Sequence, residues 1–142
     1  MIRRCVDGDF PAMEAVINEA AQAYRGIIPA DRWHEPYMTA SALKAEIDAE
    51  VAFWGWDESG ALIGIMGIQH VRDVTLIRHA YVRTAHQGRG IGAALLTSLA
   101  GQTTGPLLVG TWAAAEWAIR FYERHGFRQV PPAEKDRLLS AY

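Results

Sequence analysis

The chain has 142 residues, half of them hydrophobic and 21% charged, with a formal net charge of −2 at neutral pH. That length suits one domain around one core, and the composition excludes a disordered chain. The absence of any apolar run of about 18 residues excludes a helical membrane span. The lone cysteine, Cys5, excludes an internal disulfide framework and a cysteine-based zinc site.

Met1–Asp7 holds no apolar signal stretch, so a soluble cytoplasmic protein is expected. Ile2–Val6 reads as a short first strand. Asp9 is placed to cap a helix with Pro11 in its first turn, and Met13, Val16, Ile17, Ala20 and Tyr24 recur behind it at helical spacing. Gly26 and Pro29 break that helix, and an irregular, aromatic-rich stretch runs on to Tyr37. A second helix starts near Thr39 or Ser41, with Leu43 and Ile47 on one face. Val51–Trp56 and Ala61–Gln69 form a hairpin about a turn at Asp57–Gly60. Val74–Val82 is the next strand, after a turn at Arg72-Asp73. Arg83–Gly92 is a glycine-rich loop, and Ile91, Leu95, Leu96 and Leu99 mark a helix that stops before Gly105-Pro106. Leu107–Val109 is a short apolar strand of the buried kind. Ala113–His125 reads as a helix, with Gly126 just past its end. Phe127–Val130 starts a last strand, which Pro131-Pro132 stops. Antiparallel strands come first and strand–helix–strand crossovers follow. The expected fold class is α/β, a mixed, mostly antiparallel central sheet flanked by helices, in a single domain over residues 1–142.

The charge is unevenly spread. Residues 1–69 hold eleven acidic side chains against five basic ones, whereas residues 70–99 hold Arg72, Arg78, Arg83 and Arg89 against Asp73 alone. One reading is ordinary solvated surface. The other is an anionic ligand in the middle of the chain and a cationic one near the first half. The net charge and the lack of a basic helical stripe argue against a nucleic-acid binder.

The loop Gln87-Gly88-Arg89-Gly90-Ile91-Gly92-Ala93 joins a strand to a helix. Glycines let the backbone approach a ligand, and successive N–H groups at a helix start make an anion-binding concavity. Arg89 adds a fork-shaped donor suited to phosphate. A dinucleotide fingerprint fails, because Arg83–Gln87 separate the strand from the first glycine and the next strand ends in Gly110-Thr111 with no acid for a ribose. A nucleotide-triphosphate loop fails for want of Gly-Lys-Ser/Thr.

The run from Tyr81 to Ala93 resembles motif A of the Gcn5-related N-acetyltransferases (GNAT), whose signature Gln/Arg-x-x-Gly-x-Gly/Ala is met by Gln87, Gly90 and Gly92. Downstream, Ala118, Phe121, Tyr122, Gly126 and Phe127 are similar to the family segment Ala-x-x-Phe-Tyr-x-x-x-Gly-Phe. The element order matches along essentially the whole chain. The resemblance implies the GNAT fold and acetyl-CoA as co-substrate, with no metal. It gives the N–H groups of Gln87, Gly88, Arg89, Gly90, Ile91, Gly92 and Ala93 to the coenzyme pyrophosphate. It places Tyr81 and Val82 where the fourth strand splays from the fifth, their main chain pairing with the pantetheine arm. The Val82 N–H would polarise the thioester carbonyl, and Tyr122 would protonate the departing thiolate. The chain also departs from the family. Ala115 stands where many relatives carry Asn, and Leu76 where histone-type relatives carry a base Glu. No strand-like run follows the Phe127 strand. One sheet edge is therefore expected to lack its usual cover in this sequence, so that either the sequence is a shortened one or a second copy covers the edge in a homodimer.

Acetyl transfer to an amine needs a neutral nucleophile, a polarised carbonyl and a proton for sulfur. His79, on the fourth strand, is the candidate base, since its ordinary pKa of about 6.5 suits the task. A sheet-face histidine with no chemistry is the alternative. His34 and Glu35 are weaker candidates, and His70, His86 and His125 read as turn, loop and helix-end residues. Trp33, Tyr37 and Tyr24 either line an acceptor pocket or cover the end of the sheet. Cys5 lies far in sequence from both motifs and is not expected to be a nucleophile. The expected function is direct acetyl transfer to a primary amine of a small, cationic molecule or a peptide terminus, with no nucleic-acid or membrane partner. A non-catalytic acyl-CoA-binding module is the alternative.

Overall fold

The most apolar stretch of the chain becomes the centre of the sheet. Strand β3 (Ala61–Val71) pairs antiparallel with β2 (Ala52–Glu58) on one side and β4 (Val74–Val82) on the other. Leu62 through Ile68 are all buried, which accounts for an apolar run without polar alternation. Ile65 joins the core formed by helix α1 (Phe10–Ala21) and helix α2 (Ala40–Asp48). Its neighbour Gly64 instead meets Ile91 and Leu95 of helix α3 (Ile91–Ala100). Successive strand residues point to opposite faces, so α1 and α3 cover the two sides of the sheet. The short strands β1 (Ile2–Arg4) and β5 (Leu107–Val109) complete the order β1-β2-β3-β4-β5 among the described residues, the β4–β5 pair being parallel and the others antiparallel. The mixed, mostly antiparallel sheet expected from the sequence is the one observed.

The computed structural model describes residues 1–111 and 114–142, which divide into two compact units, Met1–Gly110 and Thr111–Tyr142. The sheet and α1–α3 belong to the first. Met13, Val16, Ile17 and Ala20 form the buried stripe of α1 as their spacing predicts, whereas Tyr24 lies beyond the helix in a 3-10 turn. Asp9 does not cap α1. Its carboxylate accepts from the Val6 N–H at 2.7 Å and from two Arg3 nitrogens at 2.7 and 2.8 Å. The Arg3 guanidinium, aided by that N–H, holds the Asp9 carboxyl down at about 2. Thr39 is the cap of α2, its hydroxyl accepting from the Ala42 N–H at 3.1 Å. Leu43 of α2 is buried, while Ile47 stays 38% exposed.

The second unit holds helix α4 (Glu116–Arg124) and helix α5 (Pro132–Ala141). Ala113, the expected start of α4, lies outside the described residues. The helix ends in a Schellman motif. The Phe127 N–H donates to the Tyr122 carbonyl and the Gly126 N–H to that of Glu123, both at 3.1 Å, with Gly126 left-handed at φ +90°. The Phe127 ring closes the motif edge-on to Tyr122, 5.4 Å between centroids. The strand expected at Phe127–Val130 does not form, and those residues carry no regular structure. Pro131 has no N–H to give a ladder, and Pro132 suits the first turn of a helix, so the chain turns into α5. The expected bare edge at Phe127 therefore has no strand to carry it. Among the described residues β5 is the last strand of the sheet.

Candidate active site

The first feature of the site is a strand that outruns its neighbour. β4 pairs with β5 only over Thr75–Ile77, and Arg78–Val82 continue without a β5 partner. The Arg83 N–H donates to Ile63 at 2.9 Å, towards β3. Backbone groups alternate along a strand, so the N–H of Val82 faces the side that β5 has left. The Gln87 amide donates to the Val82 carbonyl at 3.3 Å, tying the loop to this strand end.

The glycine loop supplies the second feature. Gly88 and Gly90 are left-handed, at φ +82° and +80°, and a Cβ added to either would meet nothing within 4 Å. Gly90 is the N-cap of α3 and no side chain caps that helix. The first helical bond runs from the Ala94 N–H to the Gly90 carbonyl at 3.0 Å, so the N–H groups of Ile91, Gly92 and Ala93 have no partner inside the helix. Donors at a helix start, with space in front of glycines, fit a pyrophosphate. Arg89 is otherwise engaged. Both its terminal nitrogens reach the Glu58 carboxylate, and the first lies 2.7 Å from His86 Nδ1. Glu58 is held below the usual carboxylate range by that contact. An anion would have to compete with Glu58 for this guanidinium.

His79 sits in a bulge of β4. Gly67 opposes Arg78 and Ile65 opposes Tyr81, so Met66 alone faces both His79 and Ala80. His79 is left-handed at φ +57°, a conformation that costs a non-glycine residue about 1–2 kcal/mol. Bulges re-aim side chains, and strained residues gather at working sites. Its Nε2 is buried 3.0 Å from Glu46 Oε1, a close charge contact without a hydrogen bond of good geometry. Burial pushes the His79 pKa down, and Glu46 only partly opposes that, so the ring is neutral near pH 7.

Tyr81 joins an aromatic wall. Tyr24 and Tyr37 each stand 6.4 Å from it, and Trp33 packs 5.6 Å from Tyr37. The Trp33 indole donates to Glu35 at 3.0 Å. The aromatic loop and the end of β4 are thus brought together. Of the acids of the first half, Asp9 and Asp57 pair with Arg3 and Asp48 with Lys44, away from the wall, while Glu35 stands at the wall, 3.8 Å from Arg25, and Glu46 at His79. Glu19 accepts from the Thr84 N–H. Tyr122 is buried in the second unit, with Phe121 and Phe127 packed edge-on against its ring. His125 Nδ1 meets the Phe121 carbonyl at 2.8 Å, a helix-end role. Burial pushes the Cys5 thiol up to about 11, so it carries no thiolate near neutral pH.

Sequence reasoning missed Glu46 and Glu58. Glu46 was detectable, since it lies three residues after buried Leu43 and shares its helix face. Glu58 lies 31 residues from Arg89, and no local pattern joins them.

A family model described as "Acetyltransferase (GNAT) domain" matches residues 49–129. The peptidyl-lysine N-acetyltransferase YiaC of Escherichia coli (strain K12) is 28% identical over 138 residues, 96% of this chain and 88% of that protein. The crystal structure of the PaiA N-acetyltransferase from Thermoplasma acidophilum, in complex with coenzyme A, matches with a TM-score of 0.76. Its identity is 20%, over 90% of this chain and 89% of that one. A ribosomal-protein-alanine N-acetyltransferase from Brucella melitensis matches with a TM-score of 0.71 at 20% identity, over 92% of this chain and 86% of that one.

Proposed function

The chain belongs to the GNAT acetyltransferase family, and we propose that it moves the acetyl group of acetyl-CoA to a primary amine by direct transfer in a ternary complex. The observation that carries this reading is β4 running on past β5, with the Val82 N–H turned to the open side and the glycine loop next along the chain. In this reading the main chain of Tyr81 and Val82 pairs with the pantetheine arm, and the donors from Gln87 to Ala93 hold the pyrophosphate. We read both units as parts of one GNAT domain.

The amine nitrogen attacks the thioester carbon and the carbon–sulfur bond breaks. The Val82 N–H donates to the carbonyl oxygen as charge builds there. His79, neutral through burial, accepts the amine proton directly or through one water. Tyr122 gives the thiolate its proton, a role that rests on the family segment around it. Cys5, a protonated thiol, forms no acyl-enzyme.

The aromatic wall of Trp33, Tyr37, Tyr24 and Tyr81 receives the acceptor. Two of the relatives are named for lysine and alanine acceptors on proteins. A peptide amine therefore stands beside a small cationic amine as the substrate class. The cytoplasm is the compartment of this reading, and no helix among the described residues is long and apolar enough to cross a membrane.

Ala115 and Leu76, at positions where relatives place Asn and Glu, favour a second reading, a module that binds acyl-CoA without turnover. Coenzyme A release across a panel of amines and lysine peptides separates the two. Stoichiometric release with an acetylated product supports the enzyme. A thermal shift with acetyl-CoA and no release with any acceptor supports the module.

A further inference from the structure

His79 is held from three directions. The β4 bulge turns it out of the regular pleat at φ +57°. The Phe53 ring of β2 stacks against it, 6.0 Å between centroids at 28°. Phe53 reaches across β3 because Gly67 has no side chain. A Cβ there would stand 3.1 Å from Phe53 Cε1 and 2.9 Å from the Arg78 carbonyl. From α2, Glu46 brings one carboxylate oxygen to 3.0 Å from Nε2, while its other oxygen lies 3.9 Å from Arg78 Nε.

A neutral imidazole carries one ring proton, and its neighbours decide which nitrogen holds it. A carboxylate beside Nε2 repels a lone pair there and attracts an N–H. We propose that Glu46 is a positioning residue, which keeps the proton of His79 on Nε2 and so leaves the Nδ1 lone pair to take the proton of the acceptor amine. This rests on the reading of His79 as the base. Once Nδ1 takes that proton, the ring becomes an imidazolium beside Glu46. The contact is then an ion pair and is worth more than it was with a neutral ring. An interaction that strengthens as the proton moves accelerates the step. The charged groups acting on the ring are Glu46 from α2 and Arg78 from β4; Phe53 of β2, stacked on it, does not titrate.

The direct test is nitrogen-15 NMR of the histidines over pH, on the full chain without coenzyme, comparing wild type with Glu46→Gln and Glu46→Ala. His79 is assigned by its loss in His79→Gln. The wild-type ring is expected as the Nε2–H form. Glu46→Gln removes the charge that raises the His79 pKa, so its titration moves to lower pH. Glu46→Ala removes the whole polar group beside Nε2, and the ring becomes a mixture of the two neutral forms. In assays, kcat of Glu46→Gln falls roughly ten- to a hundredfold, part of the usual contribution of a positioned base, and KM for acetyl-CoA holds. The acid limb of kcat/KM moves to lower pH with the His79 titration, and Glu46→Asp recovers part of the rate.

An unchanged tautomer and titration in Glu46→Ala overturn the positioning role, whatever the activity. Full turnover in His79→Gln overturns the base instead. The two failures are distinct, because the NMR readout needs no catalysis.

Discussion

Two helix ends in this protein carry a glycine at positive φ, and their backbones are left in opposite states. At the start of α3, Gly90 at φ +80° is followed by N–H groups that neither a side chain nor the helix satisfies. At the end of α4, Gly126 at φ +90° closes a Schellman motif in which the loose carbonyls of Tyr122 and Glu123 receive N–H donors from the chain itself. Tyr122, Gly126 and Phe127 of the second family segment are therefore accounted for as a helix stop, down to the ring contact that accompanies it. The first glycine turn offers its donors outward, and the second uses its own up. A glycine motif in a sequence reports unusual dihedrals; whether it also binds depends on where the hydrogen bonds go.

The sharpest break in that comparison is Gly90→Glu. It sets bulk and negative charge before the open donors, so the rise in melting temperature on adding acetyl-CoA should vanish; an undiminished rise would remove the loop from the coenzyme site. Next comes Tyr122→Phe, which keeps the ring of the Schellman contact and deletes the hydroxyl. Turnover should fall roughly ten- to a thousandfold with acetyl-CoA affinity unchanged. Wild-type turnover, or a loss of stability that matches the loss of rate, would leave Tyr122 a packing residue. Gly126→Ala should cost about 1 kcal/mol of stability through its left-handed backbone, read as a lower denaturant midpoint, and leave coenzyme affinity intact. Weaker binding in that variant would dissolve the contrast between the two turns. The smallest effect is expected of Glu58→Gln. It frees Arg89, so acetyl-CoA should bind a few-fold tighter at low salt and the gain should fade as salt screens the contact. Unchanged affinity at low salt would take Arg89 out of phosphate binding.

The lower end of the chain shows where local reading stops. Phe127–Val130 has strand-like composition, yet a strand exists only where a partner offers a ladder, and Pro131-Pro132 start a helix at once. Asp9 stands in the right place to cap α1 and is drawn instead to Arg3 and the Val6 N–H, because a charged bidentate partner outcompetes a cap. The aromatic residues Trp33, Tyr37 and Tyr24 were readable as a pocket or as core. Their chain of ring contacts to Tyr81 comes from folding the loop onto the strand end.

Periodicity by itself determined the buried stripes of α1 and α3, the hairpin of β2 and β3, and the glycine turn before α3, because those features depend on residues within one or two turns of each other. Only the tertiary structure decided that β4 outruns β5, that Glu58 occupies Arg89 and that Glu46 and Phe53 converge on His79. Each of these joins residues from different elements. Their approach is set by strand register, by a bulge opposite Met66 and by the missing side chain of Gly67, and those packing events leave no periodic mark in the chain.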